Sequence, residues 1–214
     1  MTEMKNFFKF SSKHISSTLQ AHAVELGLDE NGTNNHWNLI KGIYHGIDFP
    51  VIFKQVYGNK LHDILHTGWP GLYLISEKMQ LLLKNNHLTG WKVFPIKLYA
   101  KKDNEIFGYY GFSITGHCGP TSYAQSEIIE KRLVPNGPIC KYYKGIFIDK
   151  WDGTDFFTPE GTYQTFITKK AADILKKNKI SNMILTNLSV IEINVRCVKN
   201  GNDSSLDGSQ HTSR

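Results

Sequence analysis

Two stretches of the chain share one pattern of apolar and polar positions. Residues 75–89 read ISEKMQLLLKNNHLT, and 92 residues further on, without a gap, residues 167–181 read ITKKAADILKKNKIS. Five of the fifteen aligned positions are identical and four more are conservative, which reads as one structural unit used twice. In each stretch a short apolar run gives way to Ser76 or Thr168, whose side-chain oxygen can accept from an otherwise unpaired N–H of a first helical turn. Behind these caps, Met79, Leu82 and Leu83 match Ala171, Ile174 and Leu175, a stripe at i, i+3 and i+4 that buries a helix against a sheet. Lysines occupy the remaining faces. Asn85, Asn86 and Asn178 mark the helix ends, because Asn tolerates the left-handed backbone common just past a helix.

The rest of the chain is richer in strand signals. Residues 14–28 place Ile15, Leu19, Ala23 and Leu26 at spacings that predict a helix, followed by a turn-rich run over 29–35. Residues 42–55 predict a strand pair around Gly46, Ile47 and Asp48, with Pro50 confined to an edge or irregular position. Residues 91–99 put Phe94, Ile96 and Leu98 on one face, with Pro95 marking an edge, and a polar turn over 101–105 leads into an aromatic strand over 106–115. Residues 183–188 and 190–198 predict two further strands, the second with Ile191, Ile193, Val195 and Cys197 opposed to Glu192, Asn194 and Arg196. The expected fold class is α+β: a mixed or antiparallel sheet with two repeated strand-helix-strand units, near residues 72–99 and 164–190, packed on it. This is expected to form a single domain over residues 1–198. Residues 199–214 hold a single leucine among polar residues, too little apolar surface to offset ordering, and are expected to be a disordered tail.

Composition adds limits. A chain of 214 residues with 40% hydrophobic and 12% aromatic content can bury a substantial core. No stretch approaches the roughly 18 apolar residues of a membrane span, and the first residues lack the apolar segment of a secretory signal, so a soluble, cytoplasmic protein with no membrane partner is expected. Cys118, Cys140 and Cys197 are odd in number and widely spaced, which points to neither a disulfide framework nor a zinc site. The net charge of +6 comes from scattered lysines on helix faces rather than from a clustered patch, so no nucleic-acid partner is expected.

Four groups of residues invite a chemical reading. His117 and Cys118 lie in a glycine-framed loop over 115–121, but adjacent side chains in extended chain point to opposite sides, so His117 does not serve as the base for Cys118. Asp149, Asp152, Asp155 and Glu160 surround Trp151, Phe156 and Phe157 without the alternate-position acids of a calcium loop, and Asp-Gly and Pro-Glu-Gly suit turns. Gly108, Gly111, Gly116 and Gly119 match neither a dinucleotide fingerprint nor a phosphate loop, so no cofactor is expected. His62 and His66 are i, i+4 and would share a helix face, but no HExxH glutamate accompanies them and no metal is expected.

The succession of strand, Ile-Ser or Ile-Thr, lysine-bearing helix and strand, with GYYGFSITGHCGP and GIFIDKWDGTDFF between the two copies, resembles immunity proteins encoded beside polymorphic toxins in bacteria. The resemblance runs over residues 72–188 and implies a non-catalytic protein that binds and neutralises a cognate toxin in the cytoplasm. It carries no binding motif to particular residues. Aromatic anchors beside polar groups outside the core-forming units nominate His117, Cys118, Tyr123, Trp151, Asp152, Asp155 and Phe156 as partner-binding residues. The alternative is a hydrolase or nuclease-type enzyme using Cys118 or the acids of residues 149–160.

Overall fold

The computed structural model describes residues 4–24, 26–32, 34–132 and 134–195. The expected tail and Cys197 lie outside the described residues. The protein is a mixed α+β fold made mostly of strands, with three α-helices among the described residues: α1 (Asn35–Lys41), α2 (Glu77–Asn85) and α3 (Lys169–Lys177).

Both α2 and α3 begin where a buried strand ends. Strand Tyr73–Ser76 runs directly into α2, and strand Thr165–Thr168 into α3. The Ser76 and Thr168 side chains accept from Met79 N and Ala171 N, each at 3.2 Å. Asn86 and Asn178 donate their side-chain amides to Leu82 O and Ile174 O, at 2.8 and 2.9 Å. The left-handed residue that releases the chain is the next one in each case, His87 and Lys179.

Each helix-leading strand is the second of a pair in the same register. Ile64 faces Ile75 between strands Ile64–His66 and Tyr73–Ser76, and Phe156 faces Ile167 between Phe156–Pro159 and Thr165–Thr168. On the other flank, Tyr73–Ser76 pairs with Tyr109–Ile114, which pairs with Trp91–Phe94. Correspondingly, Thr165–Thr168 pairs with Phe7–Ser12, which pairs with Met183–Asn187. The first group belongs to an eight-stranded sheet and the second to a five-stranded one. The chain then crosses between them in both directions. After Phe7–Ser12 it enters the eight-stranded sheet as Gln20–Ala23, meeting Ile64–His66 in parallel, and after Tyr109–Ile114 it enters the five-stranded sheet as Gly116–Cys118, parallel to Phe156–Pro159.

Both helices bury into one apolar cluster. Met79 and Leu83 from α2, and Ala171, Ala172 and Leu175 from α3, meet Ile64, Ile75, Phe156 and Ile167, with Phe10 and Phe112 between. Leu82 and Ile174, also expected in the buried stripe, are only partly buried at its margin. A second cluster lies under α1, where Leu39 and Ile40 pack with Phe53, Leu74 and Phe94.

The structure corrects several expectations. Among the described residues of 14–28 no helix forms: Gln20–Ala23 is a strand whose Ala21 is buried, while Ile15 is exposed, so the apolar spacing there is not a buried helical stripe. A helix forms instead at α1, capped by the Asn34 side chain accepting from His36 N at 3.0 Å and stopped by left-handed Gly42. The strand pair expected over residues 42–55 is the single strand Val51–Tyr57. Pro95 splits its region into Trp91–Phe94 and Ile96–Tyr99, which join different neighbours.

Truncation at the shared cluster gives a direct test. Leu83→Ala and Leu175→Ala should each cost about 2–5 kcal/mol in urea unfolding, whereas Leu81→Ala, on the solvent side of α2, should stay within about 0.5 kcal/mol. Equal effects at all three positions would mean that α2 and α3 do not bury this face.

Candidate functional site

The two helix starts are each held by a carboxylate. Asp63 accepts from the Ser76 hydroxyl at 2.8 Å, lies 3.3 Å from the Lys78 ammonium, and its own carbonyl accepts from Ser76 N at 2.9 Å. The same carboxylate accepts from Ser181 N and the Ser181 hydroxyl, both at 2.8 Å, just beyond the end of the other helical segment. Asp155 does the converse. It accepts from the Thr168 hydroxyl at 2.8 Å, lies 3.4 Å from the Lys170 ammonium, and takes Thr89 N at 3.1 Å from just beyond the first helical segment. Burial alone would raise the Asp63 pKa, but the bonds from Ser181 and Ser76 and the Lys78 charge outweigh it and hold the carboxyl below its ordinary value.

This arrangement decides what the acidic loop over residues 149–160 can do. Asp155 and Phe156 are buried, and Asp155 serves the helix cap, so neither side chain is placed to meet a partner. Asp152 accepts from Thr154 N at 3.0 Å and from the Thr154 hydroxyl at 2.6 Å, a local turn, and from His117 N at 2.7 Å across to strand Gly116–Cys118. Burial would raise the Asp152 pKa as well, but the Thr154 and His117 bonds bring it down overall. Trp151 is half-buried: its ring meets Phe7 edge-on at 5.0 Å between centroids, and its indole N–H donates to Thr154 O at 2.9 Å. The aromatic anchor expected there is largely a packing group.

Strand Gly116–Cys118 alternates in and out. The His117 side chain is 78% exposed and its Nδ1 lies 3.2 Å from Asp152. Cys118 faces the core beside Phe157 and Phe166, and burial followed by the Asp152 charge pushes its thiol up to about 11. Such a thiol stays protonated at neutral pH and is a poor nucleophile. Tyr123 stacks on Tyr143 at 5.6 Å and packs against the same cluster as Cys118 and Trp151. Of the seven nominated residues, the structure therefore brings His117, Trp151 and Asp152 together near a surface and places Cys118, Asp155 and Phe156 inside.

A second region of aromatic side chains lies around α1. α1 presents Trp37 and His36 to Trp69 and Tyr163: Trp37 stacks on Tyr163 at 3.8 Å, and His36 on Trp69 at 4.0 Å. Tyr163 lines two cavities, one of about 390 Å³ that runs past Lys41 and His117 and one of about 370 Å³ that reaches Ser12, His14 and His66. His66 lies on a strand, so the helical pairing with His62 expected from spacing does not form. Its nearest ring is that of His14, 4.4 Å away. Burial first, then the neighbouring His14 and His22, lower its pKa to about 4, so His66 is neutral near pH 7. Among the described residues, no group of three His, Cys, Asp or Glu side chains is arranged to hold a metal ion. No local spacing could have shown this region, because it gathers residues from the first strand, α1 and loops a hundred residues apart.

No protein-family model matches the chain, and no curated protein is similar to it in sequence.

Two outcomes follow. Asp63 binds its proton less tightly when folded, so its stabilising contribution is fully present above the ordinary carboxylate value of 3.8 and is lost as pH falls through the depressed folded value. Asp63→Asn should lower stability at pH 7 and flatten the acid limb of a stability-against-pH curve; an unchanged acid limb would contradict this role. Trp151→Ala should lower stability by about 2–4 kcal/mol in thermal or urea unfolding.

Proposed function

We propose that the protein is a non-catalytic binding protein of the immunity type, which neutralises a cognate protein toxin in the cytoplasm, and that residues 75–89 and 167–181 are one structural unit used twice. The observation that carries this reading is the fate of the groups an enzyme would need. The Cys118 thiol is buried and pushed up, and the carboxylates of Asp152 and Asp155 are held by backbone and hydroxyl donors in turns and a helix cap. They support the fold instead of converging on a substrate position.

The surface favours contact with a protein. Half-buried Trp37 and Trp69, with Tyr163 at 37% exposure, offer rigid aromatic area beside Lys41 and His117, a combination that suits the centre of a protein interface. In this reading the partner is a toxin rather than nucleic acid or a membrane.

The test is direct mixing with the variable C-terminal domain of a toxin encoded immediately upstream. A one-to-one complex that survives gel filtration, and equal binding by Cys118→Ala, are expected. Absence of any complex, or an activity of the isolated protein that Cys118→Ala abolishes, would overturn the reading.

A further inference from the structure

A further sheet, of three strands, is made of Glu127–Arg132, Ile139–Lys144 and Glu192–Asn194 in that order. Among the described residues, Glu127–Arg132 is the longest strand that ends a sheet. Its six residues pair in unbroken antiparallel register with Ile139–Lys144 on one side, and no described strand lies on the other. The backbone groups of that open side have no hydrogen-bond partner among the described residues. The strand holds no proline and no bulge, and Ile128 on it is 59% exposed. Such an edge is a template for another strand.

The order of charges along the edge selects that strand. Residues directly opposite in an antiparallel pair point to the same face of the sheet, so a copy of the strand related by a two-fold axis sets odd-numbered residues against odd and even against even. With Ile129 on the axis, Glu127 lies opposite Lys131 of the second copy, and Lys131 opposite Glu127 of the second copy. An axis through Glu130 or Lys131 sets that charge against itself, and one through Ile128 pairs no opposite charges. The same face already carries the outer members of this row. Lys144 Nζ is 3.5 Å from Glu127, and the Lys131 ammonium lies 4.5 Å over the Tyr142 ring and donates to Glu192. Pairing about Ile129 therefore joins Lys144 and Glu127 to Lys131 and Glu192 of the second copy in a row of alternating sign, and the symmetry makes a second such row. On the opposite face the two exposed Ile128 side chains fall on the diagonal across the axis, about 7–8 Å apart and within reach of each other.

We propose that two copies of the protein join antiparallel through Glu127–Arg132, with Ile129 on the two-fold axis, so that two three-stranded sheets become one. The proposal goes beyond the immunity reading and does not rest on it.

Sedimentation and light scattering should show a monomer–dimer equilibrium by about 0.1 mM protein, weakened by salt because the charge pairs are exposed. Glu127→Lys and Lys131→Glu should each weaken dimerisation by about tenfold, since either change sets two pairs of like charges across the axis. Combining Glu127→Lys with Lys131→Glu reverses both pairs and should restore the dimer. This double variant should form few mixed dimers with the wild type in native mass spectrometry, because each mixed pairing sets Glu against Glu and Lys against Lys. Melting curves recorded alongside show that each variant is folded. A wild type that stays monomeric, a dimer that both single variants keep, a folded double variant that stays monomeric, or free formation of mixed dimers would each overturn the proposal. So would a monomeric wild type whose toxin complex is lost in Glu127→Lys, which would assign the edge to a strand of the toxin.

Discussion

The structure depends on two buried or half-buried carboxylates that each serve two masters. Asp63 holds the start of α2 and Ser181, four residues past the end of α3, while Asp155 holds the start of α3 and Thr89, four residues past the end of α2. A negative charge at a helix start is favoured by the helix dipole, and each carboxylate also satisfies N–H groups that would otherwise lack partners. Because each Asp reaches to the opposite segment, neither helix can settle independently of the other. This explains why both helices bury into one cluster although they lead out of different sheets.

The same constraint shapes the surface. Asp152 and Asp155 are fixed within the fold, so the loop that looks most chemical in the sequence behaves as a clamp. The crossing of the chain between the sheets brings the end of the first strand near residues 66–73, where Ser12, His14 and His66 line a cavity that reaches Tyr163, the ring stacked on Trp37.

The helices α2 and α3 were legible in the sequence because caps, apolar stripes and Asn ends are local signals. Asp63 and Asp155 were not, although they stand the same 92 residues apart as the two helical segments. They lie twelve residues before the matched stretch, among neighbours that do not correspond, and their meaning comes from Ser181 and Thr89, which are distant in sequence. α1 carries no clear local signal because its Asn34 cap closes a run of turn residues, and the helix expected over 14–28 does not form because Gln20–Ala23 obtains its partners from strand Val51–Tyr57. The burial of Cys118 likewise follows from parallel pairing with strand Phe156–Pro159, and Asp155 and Phe156 are held by Thr168 and Ile167, contacts that no local pattern records.

The reciprocal clasp is most directly tested by a double-mutant cycle between Asp63 and Ser181, using Asp63→Ala, Ser181→Ala and the double variant in urea unfolding at pH 7. The account predicts a coupling of about 1–2 kcal/mol across 118 residues of sequence, comparable to that between Asp63 and its own cap Ser76. Additive effects for Asp63 and Ser181, with coupling confined to Asp63 and Ser76, would contradict it and leave the carboxylates as caps of single helices.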